Sequence, residues 1–244
     1  ALLDILNLSS VLCPWVTRCG HGFEPPPEGG EKGVLVGVYP QVKGVMLARE
    51  LAERRVDLPV DAWDLDALAG RFVEISGGAA TAALTASATV IRAAQRRGEL
   101  AVWIGGRGAT FFPPDFAASG VDLEALPVVH VTEMPQALRA ADTLMRSGGF
   151  AVVVLDLGTK ARLPLAAQTR LVGLAQKHNT ALLAITGRGA GDLSAGSLVS
   201  LRAESWRRRA GHDRFVCELC IEKDKRRAPG WGHVEICHGP AGLC

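Results

Sequence analysis

Residues 73–91 read VEISGGAATAALTASATVI. A short apolar run stops at a Gly-Gly pair and passes into a stretch with helical spacing. That order is a strand entering a turn and then a helix, the frame on which a phosphate-binding loop is built. Working outward, FVEIS at 72–76 predicts a buried strand and TAALTASATVIRAAQRR a helix that ends at Gly98. ELAVWIGG is a second buried strand. PQALRAADTLMRSGG is a helix with Ala137, Leu138, Ala141, Leu144 and Met145 on one face. Gly148 stands where a helix C-cap is expected. FAVVVLD at 150–156 is an apolar strand ending in a carboxylate, TRLVGLAQKHN a helix, and NTALLAIT another apolar strand. Strands that are apolar throughout and alternate with helices imply a mostly parallel sheet covered on both faces. After Ser197 the pattern changes. SLVSLRAESW, FVCELCIE and HVEIC predict consecutive antiparallel strands joined by charged turns.

The order of these pieces resembles RecA. GRFVEISG is similar to the strand entering the RecA phosphate loop, and GVDLEALPVV followed by PQALRAADTLMRSGGFAVVVLD to the segment from its third strand through its Walker B strand. NTALLAIT resembles the next core strand. EKDKRRAPGW resembles the turn that carries a Lys-x-Lys pair before the last one. The colinear match runs from about residue 67 to 237. It implies an α/β fold, a RecA-like core with a mostly parallel central sheet flanked by helices and antiparallel strands on its C-terminal side. The core domain is expected over 61–244. Residues 1–60 are expected to be a separate N-terminal segment, with a flexible Pro/Gly linker at 21–33, a short apolar run at 34–39 and a helix over 42–55.

A phosphate loop of the form G-x-x-x-x-G-K-[ST] cradles phosphates with backbone N–H groups, reaches them with lysine and binds magnesium through the hydroxyl. Gly77 fills the first glycine position, with Gly78 after it. Ala82 stands at the second glycine, Ala83 at the lysine and Leu84 at the hydroxyl. The resemblance places the water-positioning acid at Arg107, a cation, and the nucleotide-sensing glutamine at Gly187. Asp156 keeps the Walker B-like position. Phosphoryl transfer rests on positioning and charge neutralisation, so the expectation is no catalytic residue, no bound cofactor and no metal. The two loops through which RecA binds DNA match LGTKARLPLAAQTR and GRGAGDLSAGS; both are short, and the second carries Arg188 as its cation.

A RecA core stripped of these groups resembles the ImuA family, which supports mutagenic translesion synthesis. That implies a non-catalytic adaptor in DNA damage tolerance and the SOS response, inhibiting recombination. Its partners would be RecA or its filament, a Y-family-like polymerase subunit and an error-prone replicative-type polymerase, with weak DNA binding. Two alternatives stand beside it: a divergent RecA-type ATPase or recombination mediator, with Arg107 standing in for the missing lysine, and a SulA-like cell-division inhibitor.

Residues 202–227 gather Arg202, Arg207, Arg208, Arg209, Arg214, Lys223, Lys225, Arg226 and Arg227. One reading is a patch for nucleic acid or an acidic partner, with Trp206 and Trp231 stacking on bases; the other is solvated hairpin turns. The resemblance matches Lys223 and Lys225 to the RecA lysines that reach the neighbouring subunit. Asp156 with His130 or His178 would form an acid/base pair only if the fold brought them together. Net charge is +2, which argues for no bulk attraction to nucleic acid. No window reaches the ~18 apolar residues of a membrane span, and ALLDILNLSSVLCPW has no basic start; a cytoplasmic protein without a membrane partner is expected. The six cysteines are Cys13, Cys19, Cys217, Cys220, Cys237 and Cys244. Cys217 and Cys220 have zinc-like spacing, yet a strand would point them to opposite faces, so buried thiols are expected there.

Overall fold

The computed structural model describes residues 63–78, 80–106, 111–158, 162–189, 192–210 and 214–238. The segment 1–60, with its linker and helix, lies outside the described residues, as does Arg107.

Among the described residues, each apolar run read as a strand becomes one. In chain order the elements are α1 (Leu65–Leu68), β1 (Phe72–Ser76), α2 (Ala83–Arg96), β2 (Leu100–Gly105), α3 (Pro113–Ala118), β3 (Val128–His130), α4 (Met134–Arg146), β4 (Phe150–Asp156), α5 (Leu165–His178), β5 (Ala181–Thr186), β6 (Leu201–Arg209), β7 (Arg214–Asp224) and β8 (Gly232–His238). They form one eight-stranded sheet in the order β3-β2-β4-β5-β1-β6-β7-β8. Pairings from β3 through β6 are parallel; β6–β7 and β7–β8 are antiparallel. The three C-terminal strands thus continue the parallel sheet, because β6 joins β1 in parallel register before the chain turns back.

Parallel neighbours need long crossovers, and helices supply them. A strand covered on both sides has no polar face, which is why β1 and β5 are buried at every position. Successive side chains serve opposite cores. Val73, Ile75, Val152, Val154 and Leu183 meet α1, α2 and Phe116 of α3. Phe72, Val153, Leu155, Leu182 and Ala184 meet α4 and α5 through Ala141, Met145 and Leu171. Full burial of each such aliphatic side chain contributes about 1.5–3 kcal/mol. α5 ends where Asn179 turns left-handed at φ 56° and its N–H returns to Ala175 O.

The β7 end of the sheet is tied to the β1 end by a buried ion pair. Arg71 Nη2 bonds Asp224 Oδ1 at 2.5 Å and Ser200 O at 3.0 Å. Asp224 also accepts from Trp231 Nε1 at 3.1 Å and from the Arg226 N–H at 2.8 Å. Burial pushes this carboxyl up, but the Arg226 N–H, the Arg71 guanidinium and the indole together outweigh it and hold it below the usual range. Among the described residues no helix is long and apolar enough to cross a membrane.

Candidate functional site

The turn between β1 and α2 opens onto a cleft of about 610 Å³ at the C-terminal ends of β1, β4 and β5. Open parallel sheets place ligand sites at this edge. Gly77, Gly78, Thr81, Ala83 and Leu84 form one wall, Asp156, Gly158, Thr186 and Gly187 the floor, and Phe112, Asp115 and Phe116 the far side. Arg207, from β6, completes it. The quoted stretch and the expected Walker B strand therefore meet at one place.

Several polar groups of the loop are paired within the protein. The Gly77 N–H bonds Thr186 O at 3.3 Å. Ser205 Oγ donates its proton to Ser76 O at 2.9 Å. Its 2.7 Å contact with Thr81 is therefore donated by the Thr81 hydroxyl, whose oxygen accepts the Ala83 N–H at 3.0 Å. Thr81 so provides the cap at the start of α2 that Ala82 cannot. The turn is also too tight for a side chain at Gly77, where a Cβ would lie 2.5 Å from Thr81 Oγ1 and 2.8 Å from Ser205 O. The Arg207 N–H bonds Ala80 O at 2.7 Å, fastening the loop to β6.

Ala83, at the lysine position, is buried at 1% exposure. Leu84, at the hydroxyl position, packs partly into the core between β1 and α2. Among the described lining residues the charges are Asp115, Asp156 and Arg207, two carboxylates against one guanidinium. Leu84, an alkyl side chain, stands where the resemblance expects a magnesium-binding hydroxyl. Asp156 is 3% exposed and lies between Gly105 on β2 and Ile185 on β5.

The loop after β5 is held on its inner side. Glu74, fully buried on β1, accepts from Thr186 Oγ1 at 3.0 Å, from the Ala195 N–H at 3.1 Å and from Ser194 Oγ. Arg202 donates to Asp192 O at 2.5 Å and Gly189 O at 3.3 Å. Two charged side chains of β1 and β6 thus clamp both ends of this loop.

The histidines do not join Asp156. His130 ends β3, two strands away, with Gly105 between them. His178 lies at the far end of α5, against Gly148. An Asp156–histidine pair is excluded by this spacing. Nor do the cations of 202–227 form one patch. Arg207, Arg208 and Arg209 pair with Cys217, Val216 and Phe215 at one end of β7, whereas Lys223 faces Arg202 near its other end. Six residues of strand separate them by about 20 Å. At the first end Arg207 stacks on Phe215 and Arg208 bonds Glu218 at 2.9 Å. At the second, Lys225 Nζ reaches Ser197 O at 3.4 Å, Arg226 reaches Ala69 O at 3.2 Å, and Arg227 lies over the Trp231 ring at 6.0 Å. Lys223 is half-buried, and burial, with the charges of Lys225 and Arg202, lowers its pKa. Trp231 is 6% exposed and belongs to the core, so it is no platform for bases; Trp206, on β6, is half-buried.

Cys217 faces α2 from β7, opposite Arg207 and Glu235, whereas Cys220 stands opposite Glu204 and Gly232 on the other side of the sheet. Thr81, Ser205 and the orientation of Arg207 are the site features that sequence reading missed. Their signal is the strand register, which fixes that Arg207 shares the face of Ser205.

Comparison with known proteins agrees with this architecture. The RecA N-terminal domain matches residues 66–185. The chain is 33% identical over 136 residues to the RecA protein of Leifsonia xyli subsp. xyli, a stretch covering 48% of this chain and 38% of that one. It is 34% identical over 136 residues to the RecA protein of Aquifex aeolicus, 48% of this chain and 39% of that one. With the RecA protein of Rubrobacter xylanophilus it shares 43% over 88 residues, 36% and 25% of the two chains. The chain spans no more than 39% of the length of these relatives.

Proposed function

We propose that this RecA-fold chain is a non-catalytic adaptor in DNA damage tolerance, of the ImuA type, which engages RecA or its filament and translesion polymerase partners in place of hydrolysing ATP. The observation that carries the reading is the site at Ala83. A RecA-like frame is kept, yet the position from which an ammonium would reach a phosphate holds a buried methyl group. Leu84 replaces the magnesium hydroxyl, and the hydroxyl of Thr81 occupies an N–H at the start of α2. A subunit with a RecA-like surface and no nucleotide-driven step would end or redirect a head-to-tail array, since such arrays grow only while each subunit offers both faces.

The test is binding of the full chain to RecA filaments on single-stranded DNA, with Mg-ATP titration of the chain alone run in parallel. The adaptor reading expects filament binding without nucleotide binding in the sub-millimolar range. No association with RecA in any nucleotide state would remove it.

A second reading, a nucleotide or anion sensor, is favoured by one feature: Arg207 on the cleft wall supplies a cation that the phosphate loop does not. It expects sub-millimolar nucleotide binding that is lost in Arg207→Ala.

A further inference from the structure

The register of the C-terminal strands brings two thiols together. Cys217 stands opposite Arg207 on β6 and Glu235 on β8; Cys237 stands opposite Phe215. Cys217 and Cys237 are therefore diagonal neighbours on one face of adjacent strands. Such neighbours lie about 7–8 Å apart at Cα and closer at Cβ. The face is the one that α2 covers: Thr89 Oγ1 donates to Glu235 Oε2 at 2.9 Å, and Thr85 bonds the Cys217 sulfur. Both cysteines are free. Cys217 is buried and Cys237 half-buried.

Their surroundings make the two sulfurs unequal. The hydrogen bond from the Cys237 thiol, with smaller help from Thr85 and the Arg207 charge, lowers Cys217 to about 7 against burial and the charge of Glu235. That hydrogen bond, with burial and the charges of Cys217 and Glu235, pushes Cys237 up, while Arg92 of α2 opposes it. His233 occupies the same face of β8, opposite Leu219. Cys217 is thus the more acidic thiol, with a large share in the reactive thiolate form at neutral pH, and Cys237 keeps the proton.

We propose that Cys217 and Cys237 form an oxidation-sensitive dithiol, in which Cys217 reduces a hydroperoxide and Cys237 resolves the product to a disulfide that pins β8 to β7. In the first step a Cys217 Sγ lone pair attacks a peroxide oxygen. The S–O bond forms and the O–O bond breaks. Sulfur gives up two electrons, and the departing hydroxide takes up from solvent a proton equivalent to the one Cys217 released on ionising, and leaves as water. In the second step Cys237 releases its proton and attacks Cys217 Sγ. The S–S bond forms, the S–O bond breaks, and the departing hydroxide takes the released proton. One dithiol and one hydrogen peroxide become one disulfide and two waters.

A disulfide needs Cα atoms within about 7 Å, which a diagonal pair meets only at its near limit. β8 pairs with β7 alone and forms the edge of the sheet, so it is the strand free to close the gap. Oxidation also removes the thiolate charge beside Arg207, the cation of the cleft. This inference does not rest on the adaptor reading.

The experiment treats the reduced full chain with hydrogen peroxide at pH 7, blocks remaining thiols and maps the cysteines by peptide mass spectrometry. The expected product is a Cys217–Cys237 cross-link, lighter by two hydrogens and reversed by dithiothreitol. In Cys237→Ala the expected product is a dimedone adduct at Cys217. Iodoacetamide alkylation of Cys217 at pH 7 should slow by about tenfold in that variant, because the donor holding the thiolate is gone. Cys237→Ser, which keeps a hydroxyl donor, serves if the alanine variant does not fold, and should also give the adduct. Oxidation of Cys217 no faster than that of Cys220, or a cross-link from Cys217 to a different cysteine, would overturn the proposal.

Discussion

The two ends of the sheet solve burial differently. In β4, Val152 through Leu155 are fully buried, packed on helices from both sides. In β8, positions alternate between exposed and half-buried, with Val234 at 58% and Ile236 at 64% exposure. The parallel end is insulated, and its sequence is constrained at every position. Among the described residues, the antiparallel end has α2 on one face, and it carries Cys217, Cys220 and Cys237 and most of the arginines of 202–227. The RecA-like frame resides in the first region.

The largest effect is expected where the two regions are tied. Asp224→Ala removes one partner of a pair whose side chains are 3% and 0% exposed and leaves the Arg71 guanidinium buried without its counter-ion. A loss of about 3–5 kcal/mol is expected in urea unfolding. The pH dependence has a definite sign. The folded carboxyl is held below its unfolded value. Its contribution is present above the unfolded carboxylate range of about 4 and is lost as pH falls through the folded value. Wild type should lose that stability in acid, whereas Asp224→Ala should show a flatter profile. A loss below about 1 kcal/mol would mean that the β7 end folds without this tie.

Truncation in the two regions measures the contrast directly. Leu155→Ala opens a cavity between β4 and α4 and should cost about 2–5 kcal/mol, whereas Ile236→Ala on the open face of β8 should change stability by less than about 0.5 kcal/mol. A large effect at Ile236 would show that this face is covered in solution, and oligomeric state would then be the next measurement.

This contrast also explains what was legible in the sequence. Continuous apolar runs such as FAVVVLD and ALLAIT, β-branched or aliphatic and bounded by turn residues between helical patterns, read as covered strands, so the parallel core was legible in the sequence. The four-residue α1 and six-residue α3 are too short to show a period. α1 is set by the Asp64 side chain accepting the Ala67 N–H, and α3 by prolines at its first positions. Reading the cationic stretch as one patch would need sequence neighbours to stay near in space, which a long strand between them prevents. Eleven residues of β7 carry Lys223 away from the arginines of β6. Arg207 reaches the cleft because β6 runs parallel to β1, a pairing of distant segments that local pattern does not encode.

The split of the cations makes the partner surface separable. Lys223→Glu with Lys225→Glu should weaken RecA binding by about 1–3 kcal/mol if that end meets carboxylates or phosphates away from water, and by less at a wet rim. Arg208→Glu, at the other end of β7, should leave RecA affinity unchanged. Affinity measured at two salt concentrations distinguishes a specific contact from diffuse attraction. If Arg208→Glu carries the loss instead, the contact lies beside the cleft.

The smallest effect on turnover is expected at the phosphate-loop turn itself. Ala83→Lys returns an ammonium to the phosphate loop, and a side chain from the first turn of α2 can extend into the cleft. The rest of the arrangement is unchanged. Leu84 still offers no hydroxyl to magnesium, and Thr81 Oγ1 still accepts the Ala83 N–H. Gly187 still stands on the floor where a side chain would sense the nucleotide. One added ammonium facing a phosphate should raise nucleotide affinity by about tenfold or more, since a hydrogen bond to a charged group contributes roughly 1.5–3 kcal/mol. Hydrolysis needs an oriented water and a neutralised leaving group together, and this substitution supplies neither the water ligand nor the metal. Phosphate release by Ala83→Lys should therefore remain at the no-protein background. Turnover above it would mean that a single side chain separates this cleft from a working ATPase.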